Sequence, residues 1–260
     1  MLRTLAMVAA AGVLAAGQTA PPRVTAPPTV RVAAAADLKF ALDDIADRLA
    51  RRQPAIQIQP SYGSSGSFHA QLVQRAPYDV FLSADLEYPR DLVSKGTGTD
   101  RDLFTYAIGH LVVWVPVSSK LAIERDGLRA LSGATRIAIA NPRVAPYGRA
   151  AEAALRSSGV WTAVGARLVL GDNVAQAAQF VQSGAADAAI IGKAVAMAPA
   201  MRNAGRSWDV PDTAYPPLTQ GGLILPWASS RDAAVRFRDY LLSGEGRQVL
   251  ASYGFGAGGR

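Results

Sequence analysis

The sequence predicts an α/β protein of two lobes, each with a mostly parallel sheet and helices on both faces. Short apolar runs alternate with amphipathic helical stretches along the chain, and this alternation occurs in two successive series. The chain has 260 residues, 50% hydrophobic and 18% charged, which is typical of globular proteins. Division into two series leaves about 110 residues for each lobe, an ordinary domain size.

The first series predicts three strands and two helices in βαβαβ order. These are a strand at residues 30–36, a helix at 38–49, a strand at 56–60, a helix at 67–74 and a strand at 79–83. The helix at 38–49 is the clearest, because its apolar residues recur with helical spacing at Leu38, Ala41, Leu42, Ile45 and Leu49. The alternation favours parallel pairing of the strands.

The second series repeats the alternation and then returns to a final strand and helix. It predicts strands at 111–115, 136–140, 167–170 and 188–191, helical stretches at 127–131, 148–157 and 174–182, and the returning strand 222–225 and helix 231–242. In sheets of this kind, ligands bind at the carboxyl ends of the strands, where loops lead into helices.

The amino-terminal segment predicts export. Arg3 precedes an apolar run at residues 5–16, and Ala15-Ala16-Gly17 provides the small residues of a cleavage site. We therefore predict a signal peptide at 1–17, followed by an extended spacer at 18–29 that contains four prolines. The predicted location is periplasmic or secreted.

Composition excludes several classes of site. The chain has no cysteine and two histidines, which excludes disulfides, thiolate chemistry and histidine-rich metal centres. The net charge of +7 comes from dispersed basic residues without interleaved aromatics, so no nucleic-acid partner is predicted. No phosphate-loop or dinucleotide fingerprint is present, so no cofactor is predicted.

Two of the loops at strand ends have residues that favour an anion. The segment 61–67 combines serines and glycines at the start of a helix, where hydroxyls and backbone amides can surround a negative charge. The segment 171–174 places Asp172 and Asn173 before another helix. In both loops plain helix capping explains the same residues, so the sequence leaves both interpretations open.

Several segments together resemble the periplasmic molybdate-binding proteins of ABC transporters. They are residues 33–38, Ser64-Ser65, the DVFLSAD segment at 79–85, Asn141-Pro142 with 146–148, and 253–255. The resemblance implies a type II periplasmic binding protein fold with a ligand cleft between the lobes. It places the crossovers near 107–111 and 215–220, so that residues 30–106 and 216–260 form one lobe and 107–215 the other.

The resemblance also implies the function and the partners. The protein would capture molybdate or tungstate with neutral donors and deliver the oxyanion to a membrane permease, as a monomer without catalytic activity. Ser65 matches a serine of the family site, and Val174 matches a position that donates its backbone amide. Ser64, Tyr147 and Asp37 are further candidate ligand residues.

Three positions depart from the family pattern: Asp37 replaces a serine, Tyr147 replaces a small residue, and Ile191 replaces a tyrosine. A carboxylate ~4 Å from a dianion costs about 8 kcal/mol at an effective dielectric of ~20. We therefore expect Asp37 to turn away and cap the following helix, or the ligand to be something other than a dianion. The Tyr147 hydroxyl or Lys193 would supply the missing donors.

Three alternatives stay open at this point. The cleft could bind sulfate, phosphate or an organic acid, or the protein could be a sensor subunit that uses the same cleft. A secreted serine esterase would need Ser65 beside a histidine with an acid partner. His69, one helical turn away, is the nearby histidine, and the sequence shows no obvious acid for it.

Overall fold

The computed structural model describes residues 26–52 and 55–258. The predicted signal peptide at 1–17 and residues 18–25 of the predicted spacer lie outside the described residues. Residues 26–28 have no regular secondary structure, and Thr29 begins the first strand. In the described part of the chain, no helix has the length and apolar character needed to cross a membrane.

The described residues form strands β1 to β11 and α-helices α1 to α11, numbered along the chain. The strands are Thr29–Ala35, Gln57–Gly63, Val80–Ser83, Leu103–Gly109, Leu111–Pro116, Ile137–Ala140, Leu168–Gly171, Ala188–Gly192, Gly205–Asp209, Leu218–Ile224 and Gly256–Ala257. The helices are Lys39–Ala50, Ser65–Val73, Glu87–Ser94, Ile123–Asp126, Pro146–Ser157, Trp161–Val164, Val174–Gln182, Lys193–Ala196, Pro199–Ala204, Arg231–Leu242 and Gly244–Ser252. Short 3₁₀ helices occupy Ala36–Leu38, Gly127–Gly133, Gly165–Arg167 and Asp212–Ala214.

The first sheet has the strand order β11-β4-β10-β3-β1-β2, and we call this sheet with its helices lobe 1. β1 is parallel to β2 and β3, whereas β10 is antiparallel to β3 and β4. Successive side chains of a strand point to opposite faces. Accordingly, Val32 and Ala34 pack with α1, α10 and α11, while Ala33 packs with Phe68 of α2 and Leu92 of α3.

The second sheet has the order β7-β6-β8-β5-β9, and we call it with its helices lobe 2. β6 is parallel to β7 and β8, and β5 is antiparallel to β8 and β9. Its three central strands, β6, β8 and β5, are almost continuously buried, as expected of strands covered on both faces. The two sheets are therefore mixed, with helices on both faces, and the predicted α/β fold class is confirmed.

The chain passes between the sheets twice. The first passage is His110, which separates the end of β4 at Gly109 from the start of β5 at Leu111. The second is the short segment 215–217, which joins the 3₁₀ helix Asp212–Ala214 to β10. The carboxyl ends of β1, β2 and β3 thereby face those of β6 and β7 across the space between the lobes.

Several elements differ from the sequence prediction. β2 extends to Gly63 and α2 begins at Ser65, so the predicted loop at 61–66 is mostly strand and helix. The predicted strand ended at Pro60, but β2 continues past this proline. An edge strand tolerates proline, and β2 is at the edge of its sheet. α5 begins at Pro146, since proline suits the first turn of a helix. β4, β9, α3 and α11 were not predicted, because they are only partly buried and lack a clean apolar period.

Candidate functional site

A narrow pocket with a cavity volume of about 10 Å³ lies between the two lobes, and we call it the cavity. Lobe 1 contributes residues that follow β1, β2 and β3, and lobe 2 contributes residues that follow β6 and β7. The lining residues are Ala35, Ala36, Asp37, Gly63, Ser64, Ser65, Ala84, Ala145, Pro146, Tyr147, Asn173 and Val174. The five ligand positions predicted from sequence, Ser65, Val174, Ser64, Tyr147 and Asp37, are all in this set.

Four helical segments begin at the cavity. The 3₁₀ helix Ala36–Leu38 that leads into α1 and the helix α2 start there from lobe 1, and α5 and α7 start there from lobe 2. The first turn of a helix has unpaired N–H groups and a partial positive charge. None of the lining residues that the structure describes is lysine, arginine or histidine. Apart from the Asp37 carboxyl group, the lining therefore offers neutral donors and helix dipoles to an anion.

Ser64 and Ser65 have different roles at the start of α2. Ser64 is the N-cap: its Oγ accepts from the amide of Ser67 at 3.3 Å and donates to the Ser67 hydroxyl at 2.8 Å. Ser65 is 1% exposed, and its Oγ accepts from the amide of Ala84 at 3.0 Å. This bond occupies a lone pair of Ser65 and leaves its hydroxyl hydrogen available to a ligand.

Asn173 caps α7 beside the amide of Val174, which lies at the cavity. Its Oδ1 accepts from the amides of Ala175 and Gln176 at 3.0 and 3.1 Å, which caps α7. The cap leaves the amide of Val174, the first residue of the helix, at the cavity. The capping interpretation of this loop is therefore confirmed, and anion binding by the neighbouring Val174 amide stays a prediction.

Tyr147 reaches from lobe 2 to lobe 1 in space left by two glycines. A Cβ at Gly192 would lie 2.9 Å from the Tyr147 ring, and a Cβ at Gly109 would lie too close to its hydroxyl. The Tyr147 hydroxyl donates to Oδ2 of Asp37 at 2.9 Å. Burial and the neighbouring Asp37 raise the pKa of Tyr147 well above its usual value, so its hydroxyl stays protonated.

Asp37 does not cap the following helix, which corrects the expectation from sequence. Neither the 3₁₀ helix that contains Asp37 nor α1 has a side-chain cap. The carboxyl group instead lies at the cavity, 1% exposed, with Oδ2 accepting from Tyr147 and from Nε2 of Gln220 at 2.5 Å. Donors from α5 and β10 satisfy this oxygen, as expected of a buried hydrogen-bond acceptor.

The amide of Gln220 is oriented by a tyrosine. The Tyr106 hydroxyl lies 2.8 Å from Oε1 of Gln220 and 3.0 Å from the carbonyl oxygen of Ser83. Because Oε1 accepts from Tyr106, Nε2 points to Asp37. Gln220 is fully buried in β10, beside the second passage between the lobes. The sequence analysis missed Gln220, since a lone glutamine in a strand gives no signal.

Burial raises the pKa of Asp37 from its usual value to about 6, and the bonds from Gln220 and Tyr147 oppose this rise. The backbone amides of residues 37 and 38 also oppose it, although neither forms a side-chain cap. The second carboxyl oxygen, Oδ1, is buried and has no hydrogen-bond partner. A buried oxygen without a hydrogen bond costs free energy of folding, so Oδ1 of Asp37 is an unusual feature of the site.

Ile191 and Lys193 lie outside the cavity lining. Ile191 is fully buried in β8, opposite Val112. The Lys193 ammonium pairs with Asp209 at 2.9 Å, so the prediction that it replaces a lost donor has no support in this arrangement. His69 pairs with Asp91 at 2.6 Å, an acid partner that the sequence did not indicate, and neither residue lines the cavity.

Both ends of the DVFLSAD segment make contacts that stabilise the fold. Asp79 is fully buried and binds the Arg31 side chain and the backbone amides of Arg31 and Ser229. Asp85 pairs across the cleft with Arg149 at 2.5 Å. The segment therefore organises lobe 1 and its contact with lobe 2, which the sequence alone did not reveal.

Two α/β lobes with a pocket between them are the architecture of a solute-binding protein. Residues 30–256 match the family model described as bacterial extracellular solute-binding protein, and the chain belongs to this family.

Relatives of known ligand are similar along most of the chain. The molybdate-binding protein ModA of Azotobacter vinelandii is 34% identical over 229 residues, covering 87% of this chain and 89% of that protein. The protein of the same name from Rhodobacter capsulatus is 32% identical over 195 residues, covering 75% of each. The solved structure of the Azotobacter vinelandii periplasmic molybdate-binding protein superposes with a TM-score of 0.81 at 31% identity, covering 87% of this chain and 98% of that one.

A more distant structure shows the fold alone. The sulfate-binding protein SubI of Mycobacterium tuberculosis superposes with a TM-score of 0.70 at 15% identity, covering 88% of this chain and 86% of that one. The fold is therefore shared by proteins whose names specify different oxyanions, and the ligand has to be argued from the site.

Proposed function

We propose that the protein captures a tetrahedral oxyanion, molybdate or tungstate, between its lobes and delivers it to an ABC transporter permease. The observation that carries this proposal is the cavity at which four helical segments begin and whose lining, among the described residues, has no basic side chain. Oxygens of a dianion can be bound by hydroxyl and amide donors alone, since each hydrogen bond to a charged group contributes about 1.5–3 kcal/mol. The similarity to molybdate-binding relatives supports the choice of ligand.

Ser65 and Val174 are the proposed principal ligand residues. The Ser65 hydroxyl and the Val174 amide approach the cavity from opposite lobes, so a bound oxyanion would be held by both. Such bridging favours the closed arrangement over an open one. Ser64 and Tyr147 would contribute less, because their hydroxyls are engaged with Ser67 and Asp37.

The lobes would move as two bodies. We propose that residues 30–106 with 216–260 form one body and residues 107–215 the other, with the motion located near 107–111 and 215–220. Interlobe contacts near the cavity support this division. The amide of Gly66 donates to the carbonyl of Val144 at 2.9 Å, and Arg149 pairs with Asp85.

The setting of the protein follows from the same proposal. The segment 1–17 would be removed on export to the periplasm or the exterior, and the mature protein would act as a monomer without catalysis. The esterase alternative has no supporting geometry: the Ser65 hydroxyl is bonded to the Ala84 amide, and His69 lies outside the cavity lining. Chromogenic esters should therefore not be hydrolysed.

Calorimetric titration tests the ligand directly. Protein starting at Gln18 would be titrated with molybdate, tungstate, sulfate, phosphate and a simple carboxylate. We expect a dissociation constant in the range from about nanomolar to micromolar for molybdate or tungstate, and far weaker binding of the others. Tight binding of sulfate or phosphate without molybdate would assign the site to another anion, and heat with none of them would contradict an oxyanion function.

A further inference from the structure

We propose that Asp37 takes up a proton when the oxyanion binds and donates it, from Oδ1, to a ligand oxygen. This inference rests on the proposed function and specifies how the site accommodates a carboxyl group beside a dianion. The proton comes from solvent, forms an O–H bond on Asp37 and returns to solvent when the ligand leaves. The ligand itself binds fully ionised.

The two oxygens of Asp37 are placed as a neutral carboxylic acid requires. Oδ2 accepts from Tyr147 at 2.9 Å and from Gln220 at 2.5 Å, so it serves as the acceptor oxygen. Oδ1 is buried without a partner, and Asp37 lines the cavity. A protonated Oδ1 would be a donor, and a donor is what an oxyanion oxygen needs at this position.

In the part of the chain that the structure describes, the lysines that neighbour Asp37 are paired with other carboxylates and do not balance its charge. Lys39 of α1 pairs with Asp43, Lys193 of α8 pairs with Asp209, and α7 has no titratable residue in its sequence VAQAAQFVQ. The titratable groups that face Asp37 from α5 and β4 are Tyr147 and Tyr106, which burial keeps protonated, and β10 contributes the neutral Gln220. A dianion in the cavity would therefore meet an uncompensated negative charge unless Asp37 is neutral.

Burial already raises the pKa of Asp37 to about 6 in the structure. A bound dianion would raise it further, because a like charge nearby disfavours ionisation. The affinity for molybdate should then be constant below about pH 6 and fall up to about tenfold per pH unit above it, as free Asp37 becomes ionised.

The test is calorimetry of the wild type and of Asp37→Asn with molybdate, in buffers of different ionisation enthalpy between about pH 6 and pH 9. At about pH 8, the wild type should take up close to one proton for each molybdate bound. Asp37→Asn should take up none, bind with an affinity independent of pH, and bind more tightly than the wild type at high pH. Asp37→Ser, which restores the family serine, should also be independent of pH and serves if the asparagine variant does not fold.

Three outcomes would overturn the inference. One is binding by the wild type without proton uptake and with constant affinity across this pH range. Another is equal proton uptake by Asp37→Asn, which would place the proton on the ligand. If the wild type binds neither molybdate nor tungstate at any pH, the proposed function fails and this inference fails with it, a result distinct from binding without proton uptake.

Discussion

Ser65 shows how one side chain serves both the fold and the site. Its hydroxyl oxygen accepts the buried amide of Ala84, and this bond ties the start of α2 to the end of β3. The same bond leaves the hydroxyl hydrogen available to a ligand in the cavity. A structural hydrogen bond therefore preorganises a ligand donor, which reduces the ordering cost of binding.

Replacing Ser65 by alanine should weaken molybdate binding about 10- to 150-fold, because one hydrogen bond to a charged group is lost. The free protein should also lose about 1–3 kcal/mol of stability, since the buried Ala84 amide loses its partner. Calorimetry and denaturant unfolding measure the two effects. Ser94→Ala, an exposed serine bonded only to the Asp91 carbonyl, is the control and should change neither. Unchanged affinity in Ser65→Ala would remove Ser65 from the site.

Asp79 belongs to the fold rather than the site. Burial raises its pKa, but the hydrogen bonds from Arg31 and from the Ser229 amide outweigh burial, and the pKa of Asp79 ends below its usual value. A lowered pKa in the folded state means that the ionised form is stabilised by folding. This contribution is complete above the usual pKa of 3.8 and is lost as the pH falls through the lower folded-state pKa.

Asp79→Asn should therefore destabilise the protein by about 1–3 kcal/mol at neutral pH, because the buried Asp79 side chain loses its charge-assisted hydrogen bonds from the half-buried Arg31 and from the Ser229 amide. The difference from the wild type should shrink as the pH falls below 3.8. Urea unfolding at several pH values measures both. A difference that stays constant into the acid range would show that the charge of Asp79 contributes nothing to stability.

At the scale of elements, the start of α2 contacts lobe 2 near the cavity. The Gly66 amide donates to the Val144 carbonyl, and a Cβ at Gly66 would lie 2.6 Å from that carbonyl oxygen and 2.8 Å from the Tyr88 hydroxyl. Glycine is required here because two backbones meet, and the Tyr88 hydroxyl also accepts from Arg149 at 2.9 Å. The hydrogen bond between Gly66 and Val144 joins the two lobes.

Gly66→Ala should impair closure without impairing folding. Overpacking costs about 1–3 kcal/mol in the closed state alone, so affinity for molybdate should fall by about tenfold or more. The melting temperature of the free protein should stay within about 2 °C of the wild type. Opening removes the clash with the Val144 carbonyl, and the remaining close contact is with the hydroxyl end of the Tyr88 side chain, which can shift. Gly244→Ala is the matched control, because no atom lies within 4 Å of a Cβ there. Equal affinities of the two variants would mean that this contact plays no part in binding.

Some of the site could be predicted from sequence and some could not. Ser65 and Val174 lie at helix starts that follow apolar strands, and local pattern locates such loops well. Gln220 is 183 residues from Asp37 along the chain and is brought to it by β10. Tyr106 in turn binds Gln220. Local sequence patterns do not predict contacts between such distant residues. The prediction that the Asp37 side chain caps its own helix was wrong for the same reason. Its hydrogen-bond donors, Tyr147 and Gln220, come from α5 and β10.

For the whole molecule, a ligand that binds only the closed, folded state must stabilise it. At about 100 times the dissociation constant, molybdate should add about 2.7 kcal/mol. For a chain of this size that corresponds to a rise of about 5–10 °C in melting temperature. Differential scanning calorimetry measures it, with sulfate at the same concentration as the control. A rise of the same size with sulfate would indicate a general salt effect and contradict selective binding.

The most direct test of the central claim is a crystal structure of the protein grown with tungstate, whose anomalous scattering locates the metal. We predict one strong anomalous peak in the cavity between the lobes, with ligand oxygens within about 3.2 Å of the Ser65 Oγ and the Val174 amide nitrogen. A peak elsewhere on the surface, or an anion bound by one lobe alone, would contradict the account.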